Sequence, residues 1–166
     1  MSTALTSVVV RRDRGIRSRP SPRFRLSSVS QPFHYAFFVT DLESTRRFYG
    51  EVLGCREGRS TGTWVDFDFF GHQISAHTTG TVPPTQDRGF VDGVAVPMPH
   101  FGAVLEWDVF QALAARIRAA GLPFVLEPRL RYEGKPGEQL TMFLLDASGN
   151  ALEFKAFRNP AELFTA

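Results

Sequence analysis

His34, His100 and Glu153 are the residues of this chain whose types and settings could do chemistry together. Two imidazoles and one carboxylate form the 2-His-1-carboxylate donor set associated with non-haem Fe(II), which Mn(II) or Zn(II) can also occupy. Three protein ligands leave positions open for substrate oxygens, and for O₂ where the metal is redox-active. Each histidine opens an apolar run, His34-Tyr35-Ala36-Phe37-Phe38-Val39 and His100-Phe101-Gly102-Ala103-Val104-Leu105. A small residue, Ala36 or Gly102, follows two places later on the same face and is expected to leave room for a ligand. Glu153 stands alone in the apolar run Ala151-Leu152-Glu153-Phe154. A buried carboxylate without a partner costs several kcal/mol or takes up a proton, so Glu153 needs a cation. A metal would supply one; Lys155, two residues on, is the competing partner.

Positioning these residues falls to an order of elements that occurs twice. Residues 33–39 alternate as a strand, with His34, Ala36 and Phe38 on one face and Phe33, Tyr35, Phe37 and Val39 on the other. Thr40, three residues before Glu43, has capping-box spacing for a helix start. Leu42, Thr45, Phe48, Tyr49 and Val52 give that helix its inner face, and Gly54 can end it. Strands follow over Trp64–Phe70 and His72–Thr79, turned by Gly71. The second module repeats the order, with a strand from His100 and a helix start marked by Asp108 and Gln111. Phe110, Leu113 and Ile117 line that helix, Gly121 stops it, and strands follow at 124–126, 140–145 and 151–157.

Aligning Gly71 with Gly149 pairs Ser75 with Glu153. The second module is longer by 12 positions between its histidine and its turn glycine, an excess that fits Pro128–Gln139 as a loop over a site. In the last strand Leu152, Phe154 and Ala156 face the helix side, so Glu153 points the other way, as the two histidines do. Pairing of the two sheets would then bring all three onto one concavity. The expected fold is α+β: module one 31–80, a Pro- and Gly-rich linker 81–99 and module two 100–160, forming a single domain over 31–160.

Composition narrows the function classes. At 166 residues with 43% hydrophobic content, the chain is long enough for one packed domain. No apolar run reaches the ~20 residues of a membrane-spanning helix. Cys55 is the single cysteine, so no intrachain disulfide forms and a cytoplasmic, reducing setting is compatible. Residues 1–30 carry seven arginines against Asp13 alone, so of the net +2 the remaining residues 31–166 hold −4. An acidic body argues against nucleic-acid binding, which needs clustered Lys and Arg. The Ser- and Arg-rich first thirty residues are expected to be a disordered basic extension. In a eukaryote the same composition suits a mitochondrial or plastid transit peptide.

The segments His34-Tyr-Ala-Phe-Phe-Val with Asp41-Leu, Arg47-Phe-Tyr-Gly, Leu53-Gly-Cys and Phe143-Leu-Leu-Asp-Ala-Ser-Gly-Asn-Ala-Leu-Glu153-Phe resemble the vicinal oxygen chelate superfamily of glyoxalase I, extradiol dioxygenases, fosfomycin-resistance enzymes and bleomycin-binding proteins. Within it the chain looks most like predicted small extradiol-type dioxygenases. The resemblance covers about residues 31–157. It implies paired βαβββ modules forming an open, cupped mixed sheet around a metal held by His34, His100 and Glu153. It further implies Fe(II), with Mn(II) or Zn(II) as alternatives, a small substrate with vicinal oxygens, and a homodimer.

Departures are specific. Ser75 stands where glyoxalase I would place a fourth, acidic ligand, Phe143 where extradiol enzymes would place a tyrosine, and no histidine follows His100. His77 shares the face of Gln73 and Ser75 and is the candidate proton carrier. Gln73, Ser75 and Phe143 are the candidate substrate contacts on the sheets. Arg131 and Tyr132, with Arg129 and Lys135, are candidates to grip an anionic substrate from the long loop. The expected activity is an extradiol-type dioxygenase. Its alternatives are a non-oxidative isomerase, lyase or thiol-transferase of glyoxalase type and a bleomycin-resistance-type binding protein.

Overall fold

Alternation in the first strand carries through to the molecule. In β1 (His34–Val39) Phe37 and Val39 are buried while His34, Ala36 and Phe38 are exposed. The computed structural model describes residues 31–78, 82 and 87–164. The basic extension 1–30 lies outside the described residues. After β1 the helix is capped by Asp41 rather than Thr40. Asp41 has an extended backbone and its carboxylate accepts the Ser44 amide at 2.8 Å, whereas Thr40 bonds Ser148 in the second module. The Ser44 hydroxyl, which also donates to this carboxylate, and then the amide hold the Asp41 carboxyl below its ordinary range. The helix begins as α1 (Leu42–Thr45) and widens into a π-helical stretch (Arg46–Val52), closing with Leu53 N–H on the Phe48 carbonyl. Gly54, at φ +79, then turns the chain.

β2 (Arg56–Ser60), β3 (Trp64–Phe69) and β4 (His72–Thr78) complete a sheet of order β1-β4-β3-β2, with β1 parallel to β4. The β3–β4 connection has positive φ at both Phe70 and Gly71, as a tight hairpin turn with the sheet's own twist requires. Within 81–99, β5 (Asp87–Val91) and β6 (Val94–Met98) pair as an antiparallel hairpin, so the connection between the modules has structure of its own.

The second sheet has order β7-β10-β9-β8, built from β7 (Phe101–Val104), β8 (Phe124–Arg131), β9 (Gln139–Leu145) and β10 (Ala151–Phe157), with α2 (Trp107–Ala119) between β7 and β8. Glu106 precedes α2 without a side-chain cap, and Asp108 lies in the first turn, where it suits the helix dipole. β8 runs further than the sequence pattern predicts. Pro128 sits in an edge strand whose register shifts nearby, a setting that tolerates a missing N–H. Arg129 and Arg131 are therefore strand residues, and the loop shrinks to 132–138.

The fold is thus α+β with two open, four-stranded mixed sheets of the same topology. Their helix-facing sides share one core. Phe69 meets both Phe101 and Phe154, Tyr35 and Phe37 meet Phe101, and Phe110, Leu113 and Ile117 join from α2. Burial of each large side chain contributes about 1.5–3 kcal/mol, so the cluster holds the modules together. Tyr49 OH donates to Asp146 at 3.0 Å in the same interior. Burial pushes the Asp146 carboxyl up, partly offset by bonds from Asn150, Ser148 and Tyr49. Among the described residues no helix is long and apolar enough to cross a membrane.

Candidate metal and substrate site

The outward face of the second sheet carries Glu153. β10 pairs with β7 so that Glu153 lies opposite Gly102, and with β9 so that it lies opposite Phe143. Gly102 is needed for that approach, since a Cβ there would fall on the Glu153 carbonyl oxygen. Its small size serves strand contact, a tighter constraint than the ligand room expected from the sequence.

Glu153 Oε1 accepts the Thr141 hydroxyl at 2.9 Å, and Oε2 stands 3.1 Å from Lys155 Nζ and 3.3 Å from His100 Nε2. His100 Nδ1 is 2.9 Å from the Pro97 carbonyl, an atom that can only accept. The Nδ1 proton is thereby committed, and Nε2 of the neutral ring presents a lone pair to a carboxylate oxygen. Lys155 already gives the carboxylate one cation, and what would lie between the two facing acceptors is a second: a proton on the ring or a metal. Their 3.3 Å separation is close to the span of two neighbouring ligands about 2.1 Å from one ion. The ring is braced edge-on by Phe143, which is itself buried under Val96 of the hairpin. A notch of about 200 Å³, lined by His100, Gly102, Val104, Glu153 and Lys155, opens beside them along the β7 edge.

His34 lies on the first sheet's outward face. Its Nδ1 is 2.9 Å from Gln73 Oε1, and it does not join His100 and Glu153. Among the described residues no three His, Cys, Asp or Glu side chains stand together as a metal-holding group. Ser75, His77 and Gln73 share the His34 face through the β1–β4 register. His77 stacks on Trp64 at 6.2 Å. Arg131 and Tyr132 come together at the far side of the second sheet. The Arg131 guanidinium lies 4.8 Å over the Tyr132 ring, with Nε 3.0 Å from Asp92 in the hairpin turn. That contact is an ion pair without hydrogen-bond alignment.

One residue escaped the sequence reading. Asp66 is 5% exposed and accepts from the Ser75 hydroxyl, from Gln73 Nε2 at 3.0 Å and from Arg59 Nη2 at 3.1 Å. It sits directly opposite Ser75 across the β3–β4 ladder, so a carboxylate reaches the Ser75 neighbourhood from the next strand. The signal was present: a two-residue turn at Phe70-Gly71 sets Asp66 against Ser75. A cavity of about 380 Å³ borders this cluster, lined by Arg56, Gly58, Arg59, Asp66, His72 and Gln73 among others.

Burial alone would raise the Asp66 carboxyl, but bonds from Ser75, Arg59 and Gln73 outweigh it and hold the group below the ordinary 3.8. A carboxyl lowered in the fold stabilises it above the unfolded value and loses that contribution as pH falls. Unfolding of the wild type and Asp66→Asn compared over pH 3–7 should show their stability difference intact above about pH 4 and shrinking below it. By contrast, burial pushes the Cys55 thiol up to about 12, so the single cysteine is no nucleophile at neutral pH.

A sequence profile of the glyoxalase/bleomycin resistance protein/dioxygenase superfamily matches residues 31–154. A search of curated proteins finds no match. Among solved structures, a glyoxalase/bleomycin resistance protein/dioxygenase from Alicyclobacillus acidocaldarius is 31% identical, with TM-score 0.65 over 81% of this chain and 96% of that one. The genomically encoded fosfomycin resistance protein FosX from Listeria monocytogenes shares the fold at 20% identity, with TM-score 0.57 over 82% and 98% of the two chains. A virulence protein from Salmonella typhimurium does so at 22% identity, with TM-score 0.55 over 79% and 99%. Two repeated four-stranded sheets and a profile match across most of the folded residues lead to one assignment: the chain belongs to the glyoxalase/bleomycin resistance protein/dioxygenase superfamily.

Proposed function

We propose that this protein is a divalent-metal-dependent enzyme for a small substrate with vicinal oxygens, its ion held by His100 and Glu153 of one protomer and His34 of the partner subunit. The convergence of His100 Nε2 and Glu153 Oε2, two acceptors with no proton of their own to share, carries this reading. A second copy supplies the third ligand because His34 lies on the other sheet, bonded to Gln73. Both β1 and β7 end their sheets, and Phe33, Tyr35, Phe38 and Val104 along them are exposed. A two-fold dimer that sets β1 of each protomer beside β7 of the other covers these side chains and builds two equivalent sites.

A bound divalent ion would polarise substrate oxygens at its open positions. Thr141 holds the Glu153 carboxylate in one orientation, and Lys155 stands beside it as a cation able to meet a substrate anion. From the first sheet, Gln73, Ser75 and His77 share the face of His34, and His77 would there be the group to carry a proton. Arg131 and Tyr132, at the far side of the second sheet, would take an anionic substrate group only by exchanging the Asp92 partner of the guanidinium.

The donor set favours Fe(II), and with it an extradiol-type dioxygenase using O₂ as co-substrate. A second, non-oxidative reading as an isomerase, lyase or thiol-adding enzyme with Mn(II) or Zn(II) is favoured by Phe143, which packs against His100 and offers no hydroxyl. Oxygen uptake by the Fe(II)-loaded protein with a panel of catechols decides between them. Uptake that His100→Ala abolishes supports the dioxygenase, whereas turnover that persists under argon supports the second reading. Uptake no higher than that of the variant removes the first.

A further inference from the structure

His34 and His100 reach the same state by different means. The Pro97 carbonyl fixes the His100 proton on Nδ1. His34 Nδ1 faces a side-chain amide, which could present either its oxygen or its NH₂. What decides between them lies on the amide's other side. Gln73 Nε2 is 3.0 Å from Asp66 Oδ2, and a carboxylate can only accept. The amide must therefore turn its NH₂ to Asp66 and its oxygen to His34, so that His34 Nδ1 donates and Nε2 keeps its lone pair.

We propose that Asp66, acting through Gln73, is a positioning residue that holds His34 in the Nδ1-protonated tautomer and so leaves Nε2 as the metal-binding atom. The inference rests on the reading of His34 as a metal ligand. The relay crosses three adjacent strands: His34 on β1 lies opposite Gln73 on β4, and Asp66 on β3 lies opposite Ser75, two residues further along β4. Asp66 is itself fastened by Ser75 and Arg59, so the relay has a fixed end in a mostly buried position. An imidazole free in water favours the proton on Nε2, the wrong nitrogen for binding here. Outer partners that set a ligand's tautomer typically change metal affinity 10–100-fold.

The test uses the full chain with its four histidines labelled with ¹⁵N, above the imidazole titration range, and Zn(II) alone as the probe in calorimetry. In the metal-free wild type, His34 and His100 should both show protonated Nδ1. Gln73→Leu and Asp66→Ala should move His34 toward the other tautomer, leave His100 unchanged and weaken Zn(II) binding roughly 10–100-fold. The isosteric double variant Asp66→Asn with Gln73→Glu reverses the donor and acceptor between strands yet keeps an acceptor on His34. It should retain the wild-type tautomer and bind Zn(II) within about threefold of wild type. A wild-type His34 protonated on Nε2, or Zn(II) affinity indifferent to Gln73→Leu, overturns the relay alone. A wild type that shows the Nδ1 tautomer but binds no Zn(II) overturns the ligand reading, and the relay's metal role with it.

Discussion

Mixing His34→Ala and Glu153→Ala, each of which alone should bind metal far more weakly than wild type, should restore wild-type metal binding to about a quarter of the sites once subunits exchange. The reason is geometric. A mixed dimer has one site with both lesions and one site with none. Random assortment makes half the dimers mixed, which leaves one site in four intact. A site closed within a single chain would carry a broken ligand in every copy, and mixing would recover nothing. Calorimetry of the mixed and unmixed samples reads the difference directly. Absence of recovery, with both variants folded and dimeric, would overturn the shared site. Each single variant should lose more affinity than the roughly 10–100-fold expected for an outer partner, because it removes a donor atom itself.

Gly102→Ala should be the most damaging small substitution in the second module, lowering stability by about 3 kcal/mol. The added Cβ would coincide with the Glu153 carbonyl oxygen, and backbone cannot move aside as a flexible side chain can. β7 must then separate from β10, and with it His100 at the head of β7 shifts from Glu153. Thermal unfolding reads the first effect and metal affinity the second. Gly62→Ala is the matched control, since a Cβ there meets nothing within 4 Å. An unfolding temperature equal to that of the wild type would show that the strands have slack.

Strand faces were legible because side chains alternate with period two and the apolar set alternates with them. His34 with Ala36, and Glu153 with Lys155, could be assigned to outward faces from the pattern alone, and the registers agree. Capping was less legible. Thr40 and Asp41 are both good cap residues, and only the contact of Thr40 with Ser148, 108 positions away, settles which one caps. The extent of β8 was hidden by Pro128, which reads as a strand breaker until the strand is seen to lie at a sheet edge.

Local periodicity by itself therefore determined the duplicated order of elements and the outward setting of the two histidines and the glutamate, while the superfamily resemblance came from particular motifs around His34, Arg47 and Glu153. What only the tertiary structure decided is which of those side chains meet. The two sheets join through their helix-facing sides, so outward faces that looked destined for one concavity belong to separate halves of the chain. The same long-range packing sets Thr40 against Ser148 and the 87–98 hairpin over Phe143. Such pairings depend on how sheets close and stack across many residues, and a two-residue repeat carries no record of that.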